Sequence, residues 1–319
     1  MKKRTLVSTT VLTFCVSLAP SFAAELESPT TKPSDTPGGD VSSNLPKLER
    51  IGGPLRLNAY VNSSYVAAGN VKFLGFNFGS SDAASASLVV NTDIPINDEW
   101  FIPAGLVSDN FFLGTDTFAP VPERINTLRF STGAGYKLND QWTIVGTLSP
   151  LLYNLEQINS NDIGLAGAGY ATYKFSPDLV FTFGLVINPD GEWPVFPIGG
   201  LIWNINKDFG LDLTLPKPRF VYHANPNLNL YVGGELKATT FRTTDQIAKQ
   251  IGTAAFNNAL GTYRDFHVGV GVEYKITPGV GLYLDGGYSV GREINYTRID
   301  ETVKFDPAPY VQGAVRCRF

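Results

Sequence analysis

From Leu55 onward, apolar and polar residues alternate along the chain. Leu228, Leu230, Val232, Gly234 and Leu236 make one face of a run whose other face is Asn229, Tyr231, Gly233, Glu235 and Lys237. Phe266, Val268, Val270, Val272, Tyr274 and Ile276 alternate in the same way with His267, Gly269, Gly271, Glu273 and Lys275. Leu179, Phe181, Phe183, Leu185 and Ile187 repeat the theme, as do Val280, Leu282, Leu284, Gly286, Tyr288 and Val290. Successive side chains of a strand point to opposite faces, so each run predicts a β-strand with one apolar wall. The runs exceed the ~5–6 residues of an ordinary globular strand and are long enough to cross a bilayer at a tilt.

Tight polar turns punctuate the strands. Tyr136-Lys137-Leu138 precedes Asn139-Asp140-Gln141, Tyr173-Lys174-Phe175 precedes Ser176-Pro177-Asp178, and Tyr274-Lys275-Ile276 precedes Thr277-Pro278-Gly279. Trp203-Asn204-Ile205 and, more loosely, Tyr222-His223-Ala224 lead into similar turns. A soluble sandwich also alternates, but its core is dry. Here the second face is glycine, small or charged, which suits a wet lumen, and aromatics gather beside the turns on the apolar face like a headgroup girdle. The expected fold is therefore all-β, a transmembrane antiparallel up-and-down β-barrel. Short turns at 95–99, 139–141, 176–178, 206–208, 225–227 and 277–279 alternate with longer links near 68–83, 114–123, 153–161, 189–195, 243–262 and 293–306. With both termini on the short-turn side, this implies about 14 strands. The arms around Pro216-Lys217-Pro218 are short, and the count falls to 12 if that hairpin does not span.

The N-terminus sets the compartment. Lys2, Lys3 and Arg4 precede an apolar stretch from Leu6 to Leu18, and Ser21-Phe22-Ala23 offers a cleavage site, so residues 1–23 read as an export signal. Cys15 lies inside it, but Phe14 is too bulky for a lipoprotein signal. Residues 24–54 are rich in Pro, Ser, Thr, Asp and Gly and read as a disordered periplasmic linker, leaving 55–319 for the barrel. After cleavage one cysteine remains, Cys317, so no intramolecular disulfide is expected. Acidic side chains then outnumber basic ones, 29 against 22, which argues against a nucleic-acid partner.

The last run places Val311, Gly313, Val315, Cys317 and Phe319 opposite Tyr310, Gln312, Ala314, Arg316 and Arg318. It resembles the C-terminal β-signal of bacterial outer-membrane proteins, and the resemblance implies that the barrel assembly machinery reads Phe319. The repeated Tyr-Lys-apolar turns and Leu215-Pro216-Lys217-Pro218-Arg219 are similar to an uncharacterised bacterial family of porin-like outer-membrane barrels. That likeness implies a location in the bacterial outer membrane, with outer-membrane lipid and lipopolysaccharide as neighbours, and lends no activity.

Candidate chemistry is sparse. Outer-membrane lipid-modifying enzymes pair a histidine with a serine. His267 is expected to face the lumen, with Ser289 inward on the neighbouring strand, while His223 reads as rim filler at a turn. No zinc ligand set is in view and no cofactor is expected. Asp109 and Asp116, or Asp300 and Glu301, read as solvated loop charge, with bridging of divalent ions the second reading. By parity the lumen-lining candidates include Arg56, Arg129, Lys237, Glu235, His267, Glu273, Asp285 and Arg316. Their basic excess would favour anions if they were free; Glu235 with Lys237 and Glu273 with Lys275 instead suggest ladders of paired charge. Inward tyrosines such as Tyr231 and Tyr310 are expected to pack over glycines on adjoining strands. Thr243-x-x-Gln246 suggests a capping box, and Ile247, Ile251, Ala254, Ala255 and Ala259 follow helical spacing, so a helix at 243–262 could constrict the mouth. The expected function is a channel or passive transporter for small hydrophilic solutes and not an enzyme. A non-conducting structural or adhesive barrel is the alternative, and a lipid-modifying enzyme the remote one.

Overall fold

The computed structural model describes residues 56–114, 118–156 and 158–319. The expected signal peptide and linker lie outside them, as do Asp116 and the side chain of Arg56. The strands are β1 (Arg56–Phe73), β2 (Phe76–Pro95), β3 (Trp100–Leu113), β4 (Arg124–Lys137), β5 (Trp142–Leu152) and β6 (Ile163–Ser176). They continue as β7 (Leu179–Ile187), β8 (Val195–Asn204), β9 (Phe209–Asp212), β10 (Arg219–Asn225), β11 (Leu228–Arg242) and β12 (Leu260–Thr277). The last four are β13 (Val280–Ser289), β14 (Glu293–Tyr296), β15 (Glu301–Phe305) and β16 (Ala308–Arg318). Each pairs antiparallel with its neighbour, and β1 also pairs with β16, which closes the sheet.

The sixteen segments make fourteen staves. β14 continues β13 on the far side of β12, and β15 continues β16 beside β1. The seam is tied at its end by reciprocal backbone bonds, Leu57 N–H to the Phe319 carbonyl (3.2 Å) and Phe319 N–H to the Leu57 carbonyl (2.9 Å). The outer face is apolar and uncovered: Leu148, Leu165, Val270 and Leu284 are each more than half exposed. On the same face, beside the short turns, Trp100 lies against Tyr136 and Trp142 against Tyr173, each at 4.6 Å between ring centres. No soluble fold leaves such a belt bare, and this is the wall of a transmembrane β-barrel.

Two expectations about the links are corrected. The segment 68–83 is not a loop: β1 and β2 run on through it and turn only at Leu74 and Gly75, both at positive φ. Residues 293–306 are likewise mostly strand. In both cases, residues that need no lipid-facing apolar wall still keep pairing above it, because the ladder satisfies their backbone groups. The weak hairpin is short but present, four residues in β9 and seven in β10. It fills only the short-turn half of its place in the wall.

Candidate functional site

The lumen is filled differently in its two halves. In the long-loop half, Val71, Phe73, Phe111, Ile125, Phe241, Tyr263, Ile294 and Val303 turn inward from the strands and pack as one cluster. Ala119 and Val121 join them from the link after β3. So do Ile247, Phe256 and Ala259 from the segment after β11, which holds α1 (Asp245–Ile251) and a 3-10 turn (Ala254–Phe256). Of the residues at helical spacing, Ile247 and Ala259 are buried in the mouth and Ile251 packs against them, whereas Ala254 and Ala255 lie beyond the end of α1 and are exposed. The capping box does not form. Thr244 is the N-cap, and Thr243 Oγ1 instead donates to the Phe256 carbonyl (2.7 Å) and accepts from Ala259 N–H (2.7 Å), pinning the cap's return strand. On the cap's exposed surface, Lys249 bonds Asp245 and holds its carboxyl below the ordinary value.

The short-turn half is polar and paired. The 213–218 turn between β9 and β10 dips into the lumen, where Lys217 Nζ meets Glu235 Oε1 at 2.8 Å and donates to Tyr60 Oη at 3.0 Å. Gln312 donates to the other Glu235 oxygen (2.7 Å), and Lys237 donates to Ser64 Oγ (2.7 Å). Glu273 accepts from Tyr283 (2.8 Å) and lies 3.6 Å from Arg219, which also faces Asp212. Asp285 accepts from Tyr231 (3.1 Å), and the Arg316 guanidinium lies over the rings of Tyr60 and Tyr283. Charges are thus paired, and the direct contacts to Glu235 and Glu273 include Lys217 and Arg219 from a neighbouring hairpin, which the i, i+2 reading did not foresee. Same-strand side chains two apart run parallel, whereas Lys217 and Arg219 enter from the adjoining hairpin and meet the carboxylates head-on. A cavity of about 120 Å³ remains here, lined by Tyr60, Asp212, Lys217, Arg219, Asp285 and Arg316 among others.

The remaining candidates fall as follows. Arg129 is on the inner face of β4, beside a second cavity near β8 and β11. Asp109 is no loop residue but sits on β3, fully buried, inside the stretch that the turn at 95–99 and the link at 114–123 themselves delimit. His223 is inward on β10, its Nδ1 2.9 Å from Asn229 Oδ1. His267 stands directly opposite Ser289 in the β12–β13 register. Both bond the same carboxylate, His267 Nε2 to Asp265 Oδ2 (2.9 Å) and Ser289 Oγ to Asp265 Oδ1 (2.5 Å). A hydrolytic triad needs the imidazole between serine and acid. Here the acid is in the middle, all three groups are buried, and Tyr310 stacks on the imidazole at 4.0 Å. The arrangement is a strut, not a nucleophile. Among the described residues, no three His, Cys, Asp or Glu side chains gather as a metal site.

Sequence reasoning missed Lys217 and Asp265. For Asp265, extending the β12 alternation by one turn of period would have found it. For Lys217 no local signal exists, since a turn residue shows no parity. The tyrosine reading is met at Tyr231, where a Cβ at Gly271 on adjoining β12 would stand 2.4 Å from its ring; Tyr310 instead reaches across β13, its hydroxyl 2.6 Å from where a Cβ at Gly269 on β12 would be.

Comparison with known proteins adds a family and a set of distant likenesses. The family described as a domain of unknown function, DUF6268, matches residues 116–315. No curated protein matches the chain. Similar solved structures include the Ralstonia pickettii toluene transporter TbuX, at 9% identity over 84% of this chain and 90% of that one, with a TM-score of 0.42. A Pseudomonas aeruginosa FadL homologue is similar at 9% identity over 83% and 89%, TM-score 0.41. The NanC porin is similar at 12% identity over 82% and 100%, TM-score 0.38. At such distances they bring neither an activity nor a solute to this chain.

Proposed function

The chain belongs to the DUF6268 family, a domain of unknown function, and from its geometry we propose that it is a capped channel of the bacterial outer membrane for small hydrophilic solutes. The observation that carries this is a cavity ringed by charged and tyrosine side chains inside a lipid-facing barrel, stoppered on one side by a separate apolar segment. A barrel built only as a scaffold needs no cavity ringed by arginine, lysine and carboxylates, whose desolvation is costly. In this reading the short turns face the periplasm. The segment 243–259 is the cap that must move, and the paired charges below it screen solutes by size and hydrogen bonding more than by net charge. The outer-membrane address is supported by the bare apolar belt and its aromatic girdle. The same address proposes lipopolysaccharide as the neighbour of the outer rim and the barrel assembly machinery as the reader of Phe319, which is exposed at the seam.

The filled lumen also favours the second reading, a non-conducting structural barrel. One experiment separates them. In planar bilayers the intact protein is expected to show rare, small steps. Replacing residues 244–257 by a short glycine linker is expected to give frequent steps at least several-fold larger. A tight seal from both proteins would leave the structural barrel as the reading.

A further inference from the structure

We propose that the upper gap between β8 and β11 is a lipid-side crevice that binds the alkyl chain of an amphiphile through its tail and a hydrogen-bond-accepting head. It stands whether or not the lumen conducts.

The gap follows from the short hairpin. β9 pairs with β8 only from Ile202 to Asn204, with one more bond from Leu213 N–H to the Leu201 carbonyl. On the other side, β10 leaves β11 at Gly233, after which Gly234 and Leu236 donate to the carbonyls of Pro218 and Pro216. Beyond that level β8 and β11 pair with β7 and β12 but not with each other. The sequence is adapted to this edge. Asn204 N–H bonds Asp178 across from β7, so by alternation the backbone nitrogen of Pro197 faces the gap, where proline loses no ladder bond. On β11, Arg242 N–H donates to the Tyr153 carbonyl, whereas the Ala238 and Thr240 amides on the same edge have no hydrogen-bond acceptor among the described residues.

The wall is closed here by overlap. From the link after β7, Glu192 reaches the outer face of β12 at Arg264 (3.3 Å), and the Arg264 guanidinium lies over the Trp193 ring at 4.9 Å. Trp193 in turn stacks on Phe196 at 5.7 Å. Arg264 is held from its other side by Glu293. The crevice left between the layers measures about 190 Å³. Its walls are the inward Leu151, Ala166, Val186 and Phe196 and the outward Leu236 and Ala238. Side chains from opposite faces of the sheet can share one cavity only where the wall has an edge, so the crevice reaches the lipid side.

Three features fix the occupant. The lining is mostly apolar, with Arg129, Glu192 and Arg264 among its polar members, and the volume exceeds the ~150 Å³ that holds a benzene-sized guest in an engineered cavity. The mouth opens on a face whose neighbours Leu165, Leu185, Ile187 and Val195 are bare and apolar, where the surrounding medium is alkyl chain. The two edge amides lack acceptors in a place where an unpaired donor costs on the order of several kcal/mol. A chain with an acceptor head meets all three needs, and a plain hydrocarbon leaves the amides unmet.

Trp193 at the mouth is the reporter. The full chain carrying Trp100→Phe, Trp142→Phe and Trp203→Phe is titrated in detergent with dodecanoate brominated on its terminal carbons, then placed in nanodiscs of brominated phosphatidylcholine. We expect saturable quenching that unbrominated dodecanoate reverses, and a midpoint raised at least tenfold by Ala166→Phe or Ala238→Phe. Saturable quenching by the brominated phosphatidylcholine alone assigns the chain to a bilayer lipid and also supports the site. Quenching that rises linearly with both probes and is not reversed by dodecanoate overturns the proposal, even if neither crevice variant folds.

Discussion

At the residue scale, the account rests on Lys217. It enters the lumen from a turn, carries the ion pair to Glu235 and touches Tyr60 across the cavity. Lys217→Met would leave Glu235 buried with only the Gln312 amide as a direct hydrogen-bond donor and the Lys237 charge nearby. Removing one member of a fully buried pair costs about 3–5 kcal/mol. Because the Lys217 side chain is 32% exposed, we expect about 2 kcal/mol, read as a lowered urea midpoint for refolding into vesicles, with Lys217→Arg close to wild type. An unchanged midpoint for Lys217→Met would remove the pair from the account. The Glu235 and Glu273 positions were legible from parity alone, since a period of two assigns each side chain a face. Their partners were not legible, because parity says nothing of what a neighbouring turn inserts.

Tyr153 shows the same limit. It follows directly after β5, donates to Asp190 (3.1 Å) and has its phenol pushed above the usual value by burial first and the Asp190 charge second. No local pattern marks it. It is set by the meeting of two links and β11, contacts that lie far apart in sequence.

At the element scale, the cap is the part whose state matters. Phe256 is buried against Phe73 (6.4 Å) and Tyr296 (5.2 Å) and is its main anchor. Phe256→Ala is expected to weaken docking by about 3 kcal/mol. Amide protection across 245–258 should fall about a hundredfold while that of β12 stays as it was. Equal loss in both would mean that the cap is an inseparable part of the wall. The helix and its buried Ile247 could be read from spacing, but the spacing ran on past the helix end to Ala254 and Ala255, which are exposed, and the cap residue was misplaced by one position because Thr243 and Thr244 are chemically alike. The short β9–β10 hairpin was visible as two short arms. Its consequence, an edge marked by Pro197, needed the register.

At the scale of the whole molecule, the alternation that predicts fourteen strands also predicts which face meets lipid, and both follow from one requirement. A backbone in hydrocarbon must pair with itself, so the sheet must close, and one side of every strand must then be apolar. What escaped the sequence is how the interior fills, since a lumen of this girth tolerates an apolar plug, a polar network or water. Here the first two are stacked.

The most direct measurement is spin-label accessibility along β12 in lipid vesicles. Single cysteines, with Cys317 replaced by serine, would be labelled in turn from Phe266 to Val272. The account predicts that oxygen collisions peak at 266, 268, 270 and 272 and fall at 267, 269 and 271. A flat profile, or one in which a water-soluble relaxant reaches the even positions, would contradict it.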